Sequence, residues 1–162
     1  MKNIIICSSA IIISSCASLA IPTLPDESSK NIAPGNGVLA LTLNTIEKIN
    51  HISIESSKAG HNFVIKWPSI GENIFLYEVP AGEYCLNRAT YNQGTVYFKD
   101  AYSHNSKGFC TIVEEGSLSY SGHIFLRLNP SSINRYQAFV RKLNREYPNT
   151  CKEFIGKSCD DY

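Results

Sequence analysis

The chain has 162 residues, with 15 Lys and Arg against 14 Asp and Glu and a formal net charge of +1. A balance this close to neutral argues against nucleic acid as a partner, because phosphate binding needs a clustered positive excess. The length corresponds to one domain, and six cysteines make the redox compartment an early question.

In chain order, the first element is an apolar run. Lys2 gives a positive start, and Ile4-Ile5-Ile6 leads through small residues to Ile11-Ile12-Ile13. A run of about ten residues is too short to span a bilayer as a helix, so it reads as a signal h-region. It closes in Ile13-Ser14-Ser15-Cys16, which resembles a bacterial lipobox: an aliphatic residue, two small ones, then the cysteine that takes the diacylglycerol. The resemblance implies a lipoprotein signal peptide over residues 1–15, cleavage before Cys16, and fatty acylation of Cys16 as the membrane attachment. Ordinary secretion with cleavage after Ser18-Leu19-Ala20 is an alternative. A third possibility is that Ile4 to Ile13 is a buried strand or helix. Ala17, rather than Asp, follows the cysteine, which resembles a lipoprotein sorted to the outer membrane. The domain would then face the periplasm or the cell surface. Loss of Lys2 with the signal cancels the formal charge.

Residues 16–36 read as a flexible tether, with Pro22, Pro25 and Pro34, several serines and no sustained apolar period. From residue 37 to 162 the sequence reads as one domain. Short β-like runs follow one another: Val38–Leu43, His51–Glu55, Asn62–Trp67, Ile74–Val79, Glu83–Thr90, Thr95–Lys99, Phe109–Val113 and Leu118–Leu128. Gly and Pro punctuate them, at Ala59-Gly60, Pro68 and Pro80-Ala81-Gly82. Such spacing predicts an antiparallel β-sandwich of about 7–8 strands. Alternation places Leu118, Tyr120, Gly122, Ile124, Leu126 and Leu128 on one face of the last strand, with Ser119, Ser121, His123 and Arg127 on the other. After Asn129-Pro130 the period changes. Ile133, Tyr136, Val140, Leu143 and Tyr147 recur at three and four residues, which predicts a C-terminal α-helix. Ser131 or Ser132 is its expected N-cap, and Pro148 its stop. Arg135, Arg141, Lys142 and Arg145 fill the polar face, with a contact to anionic lipid as the alternative use.

Two segments together resemble small proteobacterial lipoproteins with a transthyretin-like or carbohydrate-module-like β-sandwich. Val79-Pro80-Ala81-Gly82-Glu83-Tyr84-Cys85-Leu86 is similar to their Pro-x-Gly-x-Tyr-x-Leu hairpin. Gly116-Ser117-Leu118-Ser119-Tyr120-Ser121-Gly122-His123-Ile124 is similar to their Gly-x-Val-x-Tyr-x-Gly-x-Leu strand, and Arg145-Glu146-Tyr147-Pro148 to the helix end that follows. The resemblance implies a fold over residues 37–150 and no defined activity. It departs at Glu115, where those proteins tend to carry proline. It also implies that Tyr84 and Leu86 point into the core.

Cys7 leaves with the signal and Cys16 is taken by lipid, so Cys85, Cys110, Cys151 and Cys159 remain for pairing in an oxidising compartment. If Tyr84 and Leu86 face the core, Cys85 faces outward. If Phe109, Thr111 and Val113 face inward, Cys110 does the same. Two cysteines on the same face of adjacent strands can bridge. Cys151 and Cys159 then close a short C-terminal loop, with a bridge from the tail to the sandwich as the competitor. Metal binding is disfavoured, because no pair has C-x-x-C spacing and no histidine accompanies one.

Catalytic signatures are missing from the sequence: there is no Gly-x-Ser-x-Gly, Ser-x-x-Lys or His-Glu-x-x-His. His51, His61, His104 and His123 stand singly. No catalytic residue and no cofactor is therefore assigned. Tyr91, Tyr97 and Tyr102, around Asn92-Gln93-Gly94, form a possible aromatic binding rim, against the plainer reading as strand-core aromatics. The expected role is non-catalytic: contact with a protein partner in the cell envelope. A periplasmic inhibitor or immunity protein against a cell-wall hydrolase or toxin is the alternative.

Overall fold

The computed structural model describes residues 20–98, 109–127 and 130–159, so Cys16, Tyr102 and Leu128 lie outside the described residues. Among the described residues nine strands and two α-helices follow in order: β1 (Asn36–Thr45), β2 (Ile49–Ser56), β3 (Phe63–Lys66), β4 (Gly71–Pro80), β5 (Gly82–Tyr91), β6 (Gly94–Tyr97), β7 (Cys110–Val113), β8 (Leu118–Leu126), β9 (Ser131–Ile133), α1 (Tyr136–Glu146) and α2 (Pro148–Ile155). The fold is mainly β, as the spaced runs predict. One sheet has the order β4-β1-β8-β9. The other has the order β3-β2-β5-β6, with β7 also on β5. Most pairs are antiparallel, but β1 and β8 run parallel, so the first sheet is mixed.

The two sheets face each other across a core built from Leu39, Leu41 and Leu43 of β1, Ile52 and Ile54 of β2, Tyr84 and Leu86 of β5, and Ile124 and Leu126 of β8, among others. A second core lies on the far side of the first sheet. There Val38, Ala40, Ile74 and Leu76 meet Phe139, Val140 and Leu143 of α1, together with Cys151 and Cys159. The molecule therefore has three layers: sheet, sheet, helices. β1 lies in the middle layer and is buried on both faces, which is why its sequence is a continuous apolar run rather than an alternation.

Several connections differ from the reading of the sequence. The Pro80-Ala81-Gly82 turn is not a hairpin: β4 pairs with β1 and β5 with β2, so the turn carries the chain from one sheet to the other. The Tyr84 hydroxyl donates to the Pro80 carbonyl at 2.8 Å and clamps this corner. Residues 128–129 aside, Ser131 and Ser132 belong to β9, paired with β8, and do not cap a helix. α1 starts at Tyr136, whose backbone N–H donates to the Asn134 side-chain oxygen at 3.0 Å. Pro148 ends α1 but also opens α2, at the first helical position where a missing N–H costs nothing.

The tether is also shorter than its composition suggests. The Leu24 backbone N–H donates to the Leu76 carbonyl at 2.7 Å, and Leu24 and Ile32 join the helix-side core. Between them, Asp26–Asn31 forms a 3-10 turn. Residues from Leu24 onward thus form a strap along β4, part of the domain.

Candidate functional site

The strand register gathers three turns at one end of the sandwich. Thr45 at the end of β1 lies opposite Gly71 at the start of β4, and Ile49 at the start of β2 lies opposite Tyr91 at the end of β5. The turns at 46–48, 67–70 and 92–93 therefore lie together. Between the 46–48 and 92–93 turns, beside the end of β8, is a cleft of about 640 Å³, lined by Ile46, Tyr91, Val96 and Leu126 with Glu47 and Arg127 among its polar groups. The Tyr91 hydroxyl is buried with no hydrogen-bond partner among the described residues. Burial raises its pKa, and the Glu47 carboxylate raises it further. The phenol stays protonated, a donor rather than a base.

The 67–70 loop is held firmly. Thr45 Oγ1 donates to the Ser69 carbonyl at 3.1 Å, Asn73 Nδ2 donates to the same oxygen at 2.7 Å, and the Trp67 N–H donates to the Asn50 carbonyl at 2.9 Å. Trp67 has φ of 45°, a left-handed conformation rare for an aromatic residue. Simple alternation along β3 sends Trp67 inward with Phe63 and Ile65. The left-handed backbone before Pro68 instead leaves the indole 68% exposed.

The possible rim is not assembled as three tyrosines. Tyr91 and Ala89 share the inward face of β5, whereas Tyr97 lies opposite Arg88 and faces outward. Tyr91 lines the cleft, Tyr97 lies half exposed on the open face of the second sheet, and Tyr102 lies outside the described residues. What the reading of single tyrosines missed is Trp67 with Ile46 and Ile70. The signal available was a tryptophan directly before proline at a strand end.

The cysteines pair as parity suggests. Cys85 and Cys110 occupy directly opposed positions on β5 and β7, with Cα atoms 4.0 Å apart, and are joined; Cys151 and Cys159 are joined with Cα atoms 5.9 Å apart. Glu83 brings a carboxylate oxygen close to the first pair. Sulfurs bonded to each other present no thiolate, so this grouping does not make a metal site.

A charged cluster fastens α1 to the first sheet. His123 is buried, with Nε2 3.4 Å from a Glu72 carboxylate oxygen. Lys142 Nζ lies 3.5 Å from the other oxygen of that carboxylate and donates to the Glu72 carbonyl. Burial lowers the His123 pKa, Glu72 pulls it up, and Arg135 and Lys142 push it down again. Three of the four basic residues are engaged: Lys142 with Glu72, Arg145 with Glu146, and Arg135, just before α1, over the Phe125 ring; Arg141 is exposed.

The fold and this loop end define a mainly β, disulfide-braced, two-sheet domain with a helical layer. No protein-family profile matches the chain, and no curated protein matches it. Among solved structures it is similar to a leucine-rich repeat protein from Bacteroides thetaiotaomicron, at 13% identity and a TM-score of 0.38, over 59% of this chain and 14% of that one. Among the described residues no helix is long and apolar enough to cross a membrane.

Proposed function

We propose that the chain is an outer-membrane lipoprotein whose β-domain has a non-catalytic binding or structural role in the cell envelope. The observation that carries this reading is the apolar run ending in Ile13-Ser14-Ser15-Cys16. Several acyl chains on one thiol, at about 0.8 kcal/mol per buried CH₂, hold a domain at a membrane that it does not span. The use of the charged groups supports the non-catalytic part. Glu78 accepts from the Ala33 N–H and the Asn36 side chain, Glu115 accepts from the Gly35 N–H, and Glu72 binds His123 and Lys142. These carboxylates hold segments together. The partner is an envelope protein, and the surface open to it is the outer face and edges of the second sheet, which no helix among the described residues covers.

Replacing Cys16 with Ser tests the anchor. The wild-type chain partitions with membranes and incorporates labelled palmitate. The variant is released in folded form and takes up no label. A Cys16→Ser chain that stays in the membrane fraction and is processed normally defeats the reading.

A further inference from the structure

Ile46, Trp67 and Ile70 are 60%, 68% and 64% exposed. Single apolar side chains at a surface are ordinary. These three are not scattered, because the register and the hydrogen bonds at Thr45, Ser69 and Asn50 bring their turns to one end and hold them there. Lys48, Lys66 and Arg127 flank them, with Glu47 and Glu72 the acids nearby. An exposed tryptophan and two isoleucines with basic residues beside them match the boundary between headgroups and acyl chains. There an indole sits at headgroup depth and long basic side chains reach back to water.

The strap supplies an independent direction. Leu24 bonds to Leu76 in the middle of β4, and the Gly35 carbonyl accepts from Ala81 just past its end. The strap therefore runs alongside β4 toward Pro80, and the residues before Leu24 lead back toward Gly71. Ile21 packs half-buried against the inter-sheet core on the way. Cys16 is four residues before Ala20, at most about 14 Å of extended chain. The described chain before Leu24 thus heads toward the end that carries the apolar turns, and the lipid attachment follows within that length.

We infer that this end is a bilayer-docking surface: Ile46, Trp67 and Ile70 insert into the leaflet that holds the acyl chains of Cys16 and fix the orientation of the domain. The inference rests on the anchor proposed above. Docking of this kind needs little affinity of its own, because the anchor makes it an intramolecular step at high effective concentration. It leaves the open face of the second sheet standing clear of the membrane, available to a partner.

Trp67 is the one tryptophan of the chain, so its fluorescence reports the docking directly. The full-length protein, extracted from bacterial membranes, is reconstituted into phosphatidylcholine–phosphatidylglycerol vesicles with or without bromine on the acyl chains. The expected result is co-sedimentation, a blue shift relative to soluble Cys16→Ser, and strong quenching by brominated lipid. An Ile46→Ser/Ile70→Ser variant still sediments but loses most of the quenching. If the wild-type protein sediments while Trp67 emits as in the soluble form, docking is overturned and the anchor stands. A blue shift that grows with protein density but is not quenched identifies a second copy of the chain as the occupant, which also overturns docking. If the protein does not sediment at all, the anchor fails and the docking fails with it.

Discussion

Asp26 does more than any other residue of the strap. Its two carboxylate oxygens accept from the backbone N–H groups of Asn149 and Thr150, at 3.2 and 2.8 Å, and from both side chains, at 2.9 and 3.1 Å. Asn149 and Thr150 are in the first turn of α2, whose own preceding residue, Tyr147, makes no side-chain cap. Asp26 is therefore an N-cap supplied from more than 120 residues away, and its charge complements the positive end of the helix. Burial raises the carboxyl's pKa, but the four hydrogen bonds outweigh it and leave the group below its ordinary 3.8. A depressed folded-state pKa stabilises at neutral pH and stops doing so as the unfolded chain takes up protons. The contribution is complete well above pH 3.8 and fades as the pH falls through and below that value. Asp26→Ala is expected to cost about 1 kcal/mol in urea unfolding at neutral pH, with Asn recovering part of it. The difference between wild type and Asp26→Ala shrinks toward acid. A constant difference across pH would show that the charge is not what matters.

β8 shows how one residue rewrites an element. Alternation gives Leu118, Tyr120, Gly122, Ile124 and Leu126 a common face, but the structure divides them. Leu118 and Tyr120 pack with the helices, whereas Ile124 and Leu126 enter the inter-sheet core. The pairing with β1 slips between Ala40, opposite Tyr120, and Thr42, opposite His123. The extra residue inverts the side-chain parity beyond it. Gly122 makes the bulge possible, with φ of 95° and a missing Cβ that would lie 2.9 Å from Ser132 Oγ and 3.3 Å from the Ile133 carbonyl oxygen. Gly122→Ala should destabilise by more than about 1 kcal/mol, since left-handed strain adds to the collision with β9. Thermal unfolding measures this; an unchanged midpoint would remove the glycine from the explanation. The strand runs themselves were legible because short apolar stretches between turn residues are a local signal. The bulge was not, because a glycine in an alternating run looks the same whether or not the register slips. α2 escaped for a related reason: Pro148 is as good a first helical residue as a helix stop. The docked strap escaped because Asp26 meets its partners only in the folded chain, and Trp67 because alternation assigns it inward.

At the scale of the molecule, protection from solvent is unequal across the three layers. β1 is hydrogen-bonded on both edges, to β4 and β8, and buried on both faces. Its amides have no route to water short of opening both cores. β6 has four residues, paired among the described residues with β5 alone of the strands, and exposes most of its length. Hydrogen exchange should therefore resolve two classes. Amides from Leu39 to Leu43 exchange through global unfolding, and those of β6 through local opening. The Cys85–Cys110 bridge separates the two cleanly. It spans 25 residues, and closing a loop of that size stabilises by about 3.5 kcal/mol, chiefly by restricting the unfolded chain. In a Cys85→Ser/Cys110→Ser variant the loss should appear almost in full at the β1 amides, because they report the global free energy. It should be nearly absent at Thr95 and Val96, whose opening never releases the bridge. If β1 and β6 lost protection equally, the layers would be opening as one unit, and β1 would not be the centre that the double burial makes it.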